Sequence, residues 1–146
     1  MAGKLKIKAI VIGSVIDIVG SLVFGAIFSI VMGVLHAMNG KDISSFERDF
    51  YSNVPAMTFG LIIGLLFTVL GGYCSARIAK ENEKINAASV GVVGFITCLP
   101  FIGSLPLWYN AASLILVIPA AYLGGMIALF RKNKIVATPP KINMCN

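Results

Sequence analysis

Four long apolar runs separated by short polar segments set the pattern of this chain, from about Ala9 to Leu35, Ala56 to Ala79, Ala87 to Ser104 and Ala111 to Phe130. A helix crossing a hydrocarbon layer of about 30 Å needs about 20 mostly apolar residues, so each run predicts a membrane span. At 1.5 Å per residue the first run comes to about 40 Å and is expected to tilt or protrude. The third is the shortest, and Pro100 is expected to loosen its outer end. The expected architecture is all-α, a polytopic transmembrane four-helix bundle over residues 1–134. A flexible cytoplasmic tail with Pro139-Pro140 and no apolar period is expected over 135–146.

Composition removes the other broad classes. The chain has 146 residues, 58% hydrophobic and 12% charged, with a mean hydropathy of +0.90. An ordinary soluble domain is about 45–50% apolar and about 25% charged. The excess is more than one core of this size hides from water, which excludes a soluble globular protein, a nucleic-acid-binding domain and a disordered chain. A net charge of +6 would point to nucleic acid in a soluble domain, but here the basic residues lie at the ends of the apolar runs, where anionic headgroups are. The expected partners are membrane lipids, with no nucleic acid. Cys74, Cys98 and Cys145 are too widely spaced for a CxxC pair or a metal knuckle, and no metal or other cofactor is expected.

Cytoplasmic loops carry the lysine and arginine excess. Lys4, Lys6, Lys8, Arg77, Lys80, Lys84, Arg131, Lys132, Lys134 and Lys141 fall on one side, and only Lys41 and Arg48 on the other. This balance predicts a multi-pass protein of the cell (inner) membrane with both termini cytoplasmic, and an even number of spans agrees. The basic N-terminal segment ahead of an apolar run has the outline of a secretory signal, but the run is too long and lacks a cleavage site, so it is read as a retained span. On the outer side, Ser44-Ser45-Phe46-Glu47 has the form of a capping box and predicts a short interfacial helix with Phe46 and Phe50 on one face. Trp108 and Tyr109, in the second outer turn, suit the headgroup belt.

Small residues recur at every fourth position. The first span has Gly13, Ser21, Gly25, Ser29 and Gly33 in register with Asp17; the second has Ala56, Gly60, Gly64, Thr68, Gly72 and Ala76; the fourth has Ala120, Gly124 and Ala128. Residues four apart share a helix ridge, and small ones let backbones approach closely where lipid removes the hydrophobic driving force. The stripes predict close packing within the chain or a homo-oligomer interface, with Gly25 and Gly64, central in their stripes, at close contacts. Leu70-Gly71-Gly72 and Leu123-Gly124-Gly125, followed by Arg77 and Arg131, form a weak repeat that suggests two helical hairpins of the same orientation.

Asp17 is the only ionisable residue well inside a span. An Asp at a span centre costs about 2.5–3.5 kcal/mol on the insertion scale, while each Leu, Ile, Val or Phe returns about 0.3–0.6. The sixteen such residues of the first span outweigh it, so insertion needs no partner for Asp17. Folding differs, because a buried acid without hydrogen bonds is expensive. Tyr73 and Arg77, on one face of the next span near the same membrane side, are the expected partners. Asp17 is then a structural acid bonded or ion-paired to them, a proton or cation site, or an exposed acid at a tilted helix end. Pro119 is expected to kink the fourth span, and His36 to be a solvated interfacial histidine. No Ser/His/Asp grouping, paired carboxylates or phosphate loop stands out, so no catalytic residue is assigned and an enzyme is not expected.

Gly71-Gly72-Tyr73-Cys74-Ser75-Ala76-Arg77-Ile78-Ala79-Lys80, then a short polar turn and Asn86-Ala87-Ala88-Ser89-Val90-Gly91, resembles a pattern in small prokaryotic four-span membrane proteins of unknown function. That resemblance implies the four-helix fold and a tight cytoplasmic hairpin, and brings no activity or ligand. The chain is also similar to small multidrug-resistance transporters in having four spans and an acid in the first, here Asp17 in place of a glutamate, with a longer outer loop. Two functions follow as expectations. One is a non-enzymatic accessory or self-associating membrane subunit, a homo-oligomer or part of a larger complex, packed through its small-residue stripes. The other is a small proton- or cation-coupled transporter using Asp17.

Overall fold

The computed structural model describes residues 5–137, with side chains as far as 133. The chain is an all-α bundle whose helices are α1 (Ile7–Met38), α2 (Phe46–Ser52), α3 (Val54–Ala79), α4 (Glu83–Cys98) and α5 (Leu107–Ala137). All but α2 are long and apolar enough to cross a membrane, α4 when counted with the 3-10 turn that follows it. At 1.5 Å per residue the 32 residues of α1 extend about 48 Å, well beyond the hydrocarbon layer.

Helix boundaries shift where polar residues do work that apolar counting cannot see. α4 begins at Glu83 rather than Ala87, and α5 at Leu107 rather than Ala111. In each first turn an asparagine reaches back to the preceding loop. Asn86 Nδ2 donates to the carbonyls of Glu81 and Asn82 at 3.2 and 3.1 Å, and Asn110 Nδ2 donates to that of Leu105 at 2.9 Å. α4 gives way at Cys98 to a 3-10 turn, Leu99–Phe101, that contains Pro100. α5 passes through Pro119 as one helix and continues to Ala137, so the segment expected to open the flexible tail, 135–137, is helical. Residues 138–146 of that expected tail lie outside the described residues. Lys132 ties this end of α5 to the α3–α4 turn, donating to Glu83 Oε1 at 2.7 Å and to the Lys80 carbonyl at 3.2 Å.

α3 packs against α1, α4 and α5, whereas no Cα of α1 comes within 8 Å of one in α5 among the described residues. Both hairpins, α1–α3 and α4–α5, run the same way, so α3 and α5 are parallel. Their crossing is made by the two Leu-Gly-Gly segments. A Cβ on Gly72 would fall on the Ala121 carbonyl, and one on Gly124 on the Val69 carbonyl and 2.7 Å from Tyr73 N. On the other side of α3, a Cβ on Gly13 would stand 2.6 Å from the Gly71 carbonyl oxygen. Only a side chain that ends at Cα permits backbones this close.

Burial is concentrated in the half of the bundle that holds both ends of the described chain. Fully enclosed there are Ala9, Ser75, Ala76, Asn86, Val90 and Ala121. Asn86 is the centre of this region, because its Oδ1 also accepts the Lys6 amide at 2.9 Å and so caps α1 from α4. In the other half α1 leans on α3 through Phe24, Phe28, Phe59 and Phe67, and Phe50 of α2 joins this group against Phe28. The expected short helix forms, but not through the expected capping box. Asp42 takes that part, accepting the Ser44 amide at 3.2 Å and the Ser44 hydroxyl at 2.8 Å, while Ser45 at the start of α2 makes no side-chain cap. His36 is pinned rather than merely solvated, with Nε2 3.1 Å from the Asp42 carbonyl and 3.2 Å from Ser45 Oγ.

Candidate functional site

An α-helix turns about 100° per residue, so a four-residue stripe drifts about 40° at each repeat. The stripe of α1 meets α3 squarely at Gly13 and has turned about 120° away by Gly25. Gly13, Gly72 and Gly124 lie at close backbone contacts, whereas the close contacts expected at Gly25 and Gly64 are not made. A Cβ on either of those meets nothing within 4 Å. Gly60 and Gly33 have only an aromatic edge nearby, Phe28 at 3.8 Å and Phe46 at 3.9 Å, and Ser29 is exposed.

Where the stripes part, a cavity of about 270 Å³ opens among α1, α3, α4 and α5. Asp17 and Thr68 stand at its closed end, next to the glycine contacts. Ser21 and Gly64 belong to its walls, and Tyr109 and Asn110 stand towards the end bearing the α4–α5 loop. Residues expected to bring helices together thus hollow the bundle instead. The lining is mainly apolar, and the carboxyl of Asp17 is its one formal acid.

Asp17 is only 5% exposed. Room for it comes from glycines on two neighbours, since a Cβ on Gly71 would stand 3.0 Å from Asp17 Cβ and one on Gly94 3.5 Å from Oδ2. Thr68 Oγ1 donates to Oδ1 at 2.9 Å, and the same hydroxyl lies 3.3 Å from the Gly64 carbonyl. A hydroxyl carries one proton and two acceptor sites, so this trio has two complete bonding patterns. With Asp17 charged, Thr68 donates to the carboxylate. With Asp17 protonated on Oδ1, the acid donates to Thr68 Oγ1 and the threonine proton turns to the Gly64 carbonyl. Oδ2 has no hydrogen-bond partner among the described residues. One turn away, the buried Ser14 Oγ also lacks one among the described residues.

Tyr73 and Arg77 are not part of this site. Arg77 Nη1 donates to Tyr73 Oη at 3.4 Å, and Arg131 Nη1 does the same from α5, also at 3.4 Å. The reason is again angular: nine residues separate Thr68 from Arg77, which puts them about 180° apart around α3. The partner that sequence reasoning missed is Thr68. It stood in the α3 stripe as a small residue, and its hydroxyl, unique within that stripe, was the available signal.

One carboxyl with one hydroxyl, set in an apolar wall, suits a proton or an ammonium-type cation. Among the described residues no group of three or more His, Cys, Asp or Glu side chains comes together. No family model, no curated protein and no solved structure matches this chain.

Proposed function

We propose that this chain is a multi-pass protein of the cell (inner) membrane, with both termini cytoplasmic, that binds and moves a small cation or a proton through the Asp17 cavity without catalysing a reaction. The observation that carries the reading is the Asp17–Thr68–Gly64 trio at the closed end of a four-helix cavity, because it keeps its hydrogen bonds in either charge state. An acid retained inside a span despite its cost is by default a site for proton or cation handling. In the proposed orientation the cavity faces the outer side and the glycine contacts close the cytoplasmic side, which is one end state of an alternating-access cycle. Orientation is tested by Ser44→Cys and Glu81→Cys, which should be labelled from opposite sides of the membrane.

Function is tested in proteoliposomes with a lipophilic cation, ethidium, and an imposed pH gradient. Wild type should accumulate or expel it. Asp17→Asn should abolish the flux while keeping thermal stability near wild type, because an amide still bonds Thr68. Thr68→Ser should retain flux and Thr68→Val should weaken it. Absence of both proton and ethidium flux in wild type, or full flux in Asp17→Asn, overturns the reading. Self-association is a second reading, favoured by Gly25 and Ser29, small residues of α1 with no close neighbour helix in this chain. Gly25→Cys should then cross-link between copies.

A further inference from the structure

The opposite end of the bundle holds an arrangement that the Asp17 cavity does not explain. Arg77 and Arg131 converge on one phenol, each donating to Tyr73 Oη at 3.4 Å and each lying 5.8 Å from the ring centroid. Neither guanidinium comes within 4.0 Å of a carboxylate among the described residues. Lys80 and Lys132 line the same cavity of about 280 Å³ between α3, α4 and α5. Glu83, the one acid there, is taken up by Lys132 at 2.7 Å. The cavity therefore gathers four cations against one carboxylate.

The hydrogen-bond inventory sharpens this. Tyr73 Oη accepts from both arginines, which leaves its own proton free to be donated outward. The two guanidinium forks retain unused N–H groups, and the Lys80 ammonium adds more. The groups with spare capacity are donors, and they surround a space large enough for several oxygen atoms. Donors of this kind, forked and fixed, match a phosphate better than a single carboxylate oxygen. The position matches too, because Arg77 and Arg131 stand at the ends of the apolar parts of α3 and α5, at headgroup depth for a helix that crosses a membrane.

We propose that Tyr73, Arg77, Arg131 and Lys80 form a binding site for a phosphate group, supplied by the headgroup of an anionic phospholipid or by a soluble phosphate ester. The Leu-Gly-Gly crossing brings α3 and α5 close enough for arginines from both helices to reach one ring. The bound phosphate neutralises the two guanidinium groups and fastens α5 to α3 at this end.

The test is lipid binding to the purified full chain in detergent, read by native mass spectrometry, with phosphatidylglycerol, phosphatidylcholine and, separately, inorganic phosphate. Phosphatidylglycerol should bind in preference to phosphatidylcholine. A basic residue near an anionic lipid surface contributes a factor of about five, so Arg77→Gln with Arg131→Gln should weaken binding about thirtyfold. Arg48→Gln, in the other loop region, should not change it. Tyr73→Phe keeps the ring and the fold but removes the hydroxyl, and should also weaken binding if the double variant is too unstable to assay. Inorganic phosphate competing with the lipid supports the site and assigns it to a soluble ester as well. Equal binding of the two lipids, or unchanged binding in both the double variant and Tyr73→Phe, overturns the proposal.

Discussion

Adding one methyl group at Gly124 or at Gly25 tests whether the glycines act as the structure assigns them. At Gly124 the new Cβ meets backbone on α3, the Val69 carbonyl and Tyr73 N at 2.7 Å, and backbone cannot rotate aside as a side chain can. Ordinary contact lies at about 3.5–4.0 Å, so α5 has to retreat by about 1 Å at its closest crossing. A gap of that size forfeits about a quarter to a half of the attraction of each contact it opens, and overpacking of this type costs about 1–3 kcal/mol. At Gly25 the Cβ meets nothing within 4 Å, and the substitution gains up to about 0.5–1 kcal/mol of helix propensity. The propensity gain is common to both helical positions and cancels, so Gly124→Ala should be less stable than Gly25→Ala by the overpacking cost, about 1–3 kcal/mol. Steric trapping in bicelles, or denaturation in detergent followed by far-UV circular dichroism, reads the difference. Equal stabilities would refute the account, since they would mean that the Leu-Gly-Gly crossing is not a backbone contact.

Two other predictions concern the ends of the bundle. Asn86→Ala removes a fully buried side chain that caps the Lys6 amide and bonds the Glu81 carbonyl, while the Asn82 carbonyl keeps the Ile85 and Asn86 amides, and should lower stability by about 1–3 kcal/mol in the same denaturation assay. The Ser44 hydroxyl and amide hold the Asp42 carboxyl below its ordinary range, and the Lys41 ammonium at 3.0 Å does the same for Asp49. Because both folded-state values are depressed, their contribution is complete above the ordinary carboxylate range and disappears as pH falls through the lower folded values. The protection factor of the Ser44 amide, which divides out the intrinsic pH dependence of exchange, should stay constant from neutral pH to about 4 and fall below it; a fall already near pH 6 contradicts the assignment.

The spans were legible in the sequence because run length and apolarity decide them, with little interference from tertiary detail. Their polar first turns were not, since Asn86 and Asn110 count against an apolar run while their side chains extend the helix into the loop. Asp42 shows the same blindness at shorter range. Two serines and a glutamate matched a capping pattern, but the aspartate just before them won the competition for the Ser44 amide. Choosing partners for Asp17 failed for a geometric reason. Charge and membrane side favoured Arg77, yet a side chain acts only from its own face, and that arginine lies on the far side of α3 from Thr68.

The same angular drift ties the stripes to the cavity. Had small residues followed the helical period closely, α1 and α3 would have stayed in backbone contact along their whole length, and no space would remain above Asp17. A strict spacing of four instead lets close backbone contact hold only from about Gly13 to Asp17 on α1 and from Gly71 back to Thr68 on α3, after which aromatic side chains, Phe67 and Phe24 first, stand between the helices. The acid sits at that point of divergence, with backbone closing one side and the cavity opening on the other. Moved one turn towards the N-terminus, to Gly13, a carboxyl would collide with Gly71 and Ser75; two turns onward, at Gly25, even its Cβ would have nothing within 4 Å. Position 17 combines a hydrogen-bond partner with access to the cavity, the two conditions that the proposed transport role requires if the carboxyl is to change its charge without unfolding its surroundings.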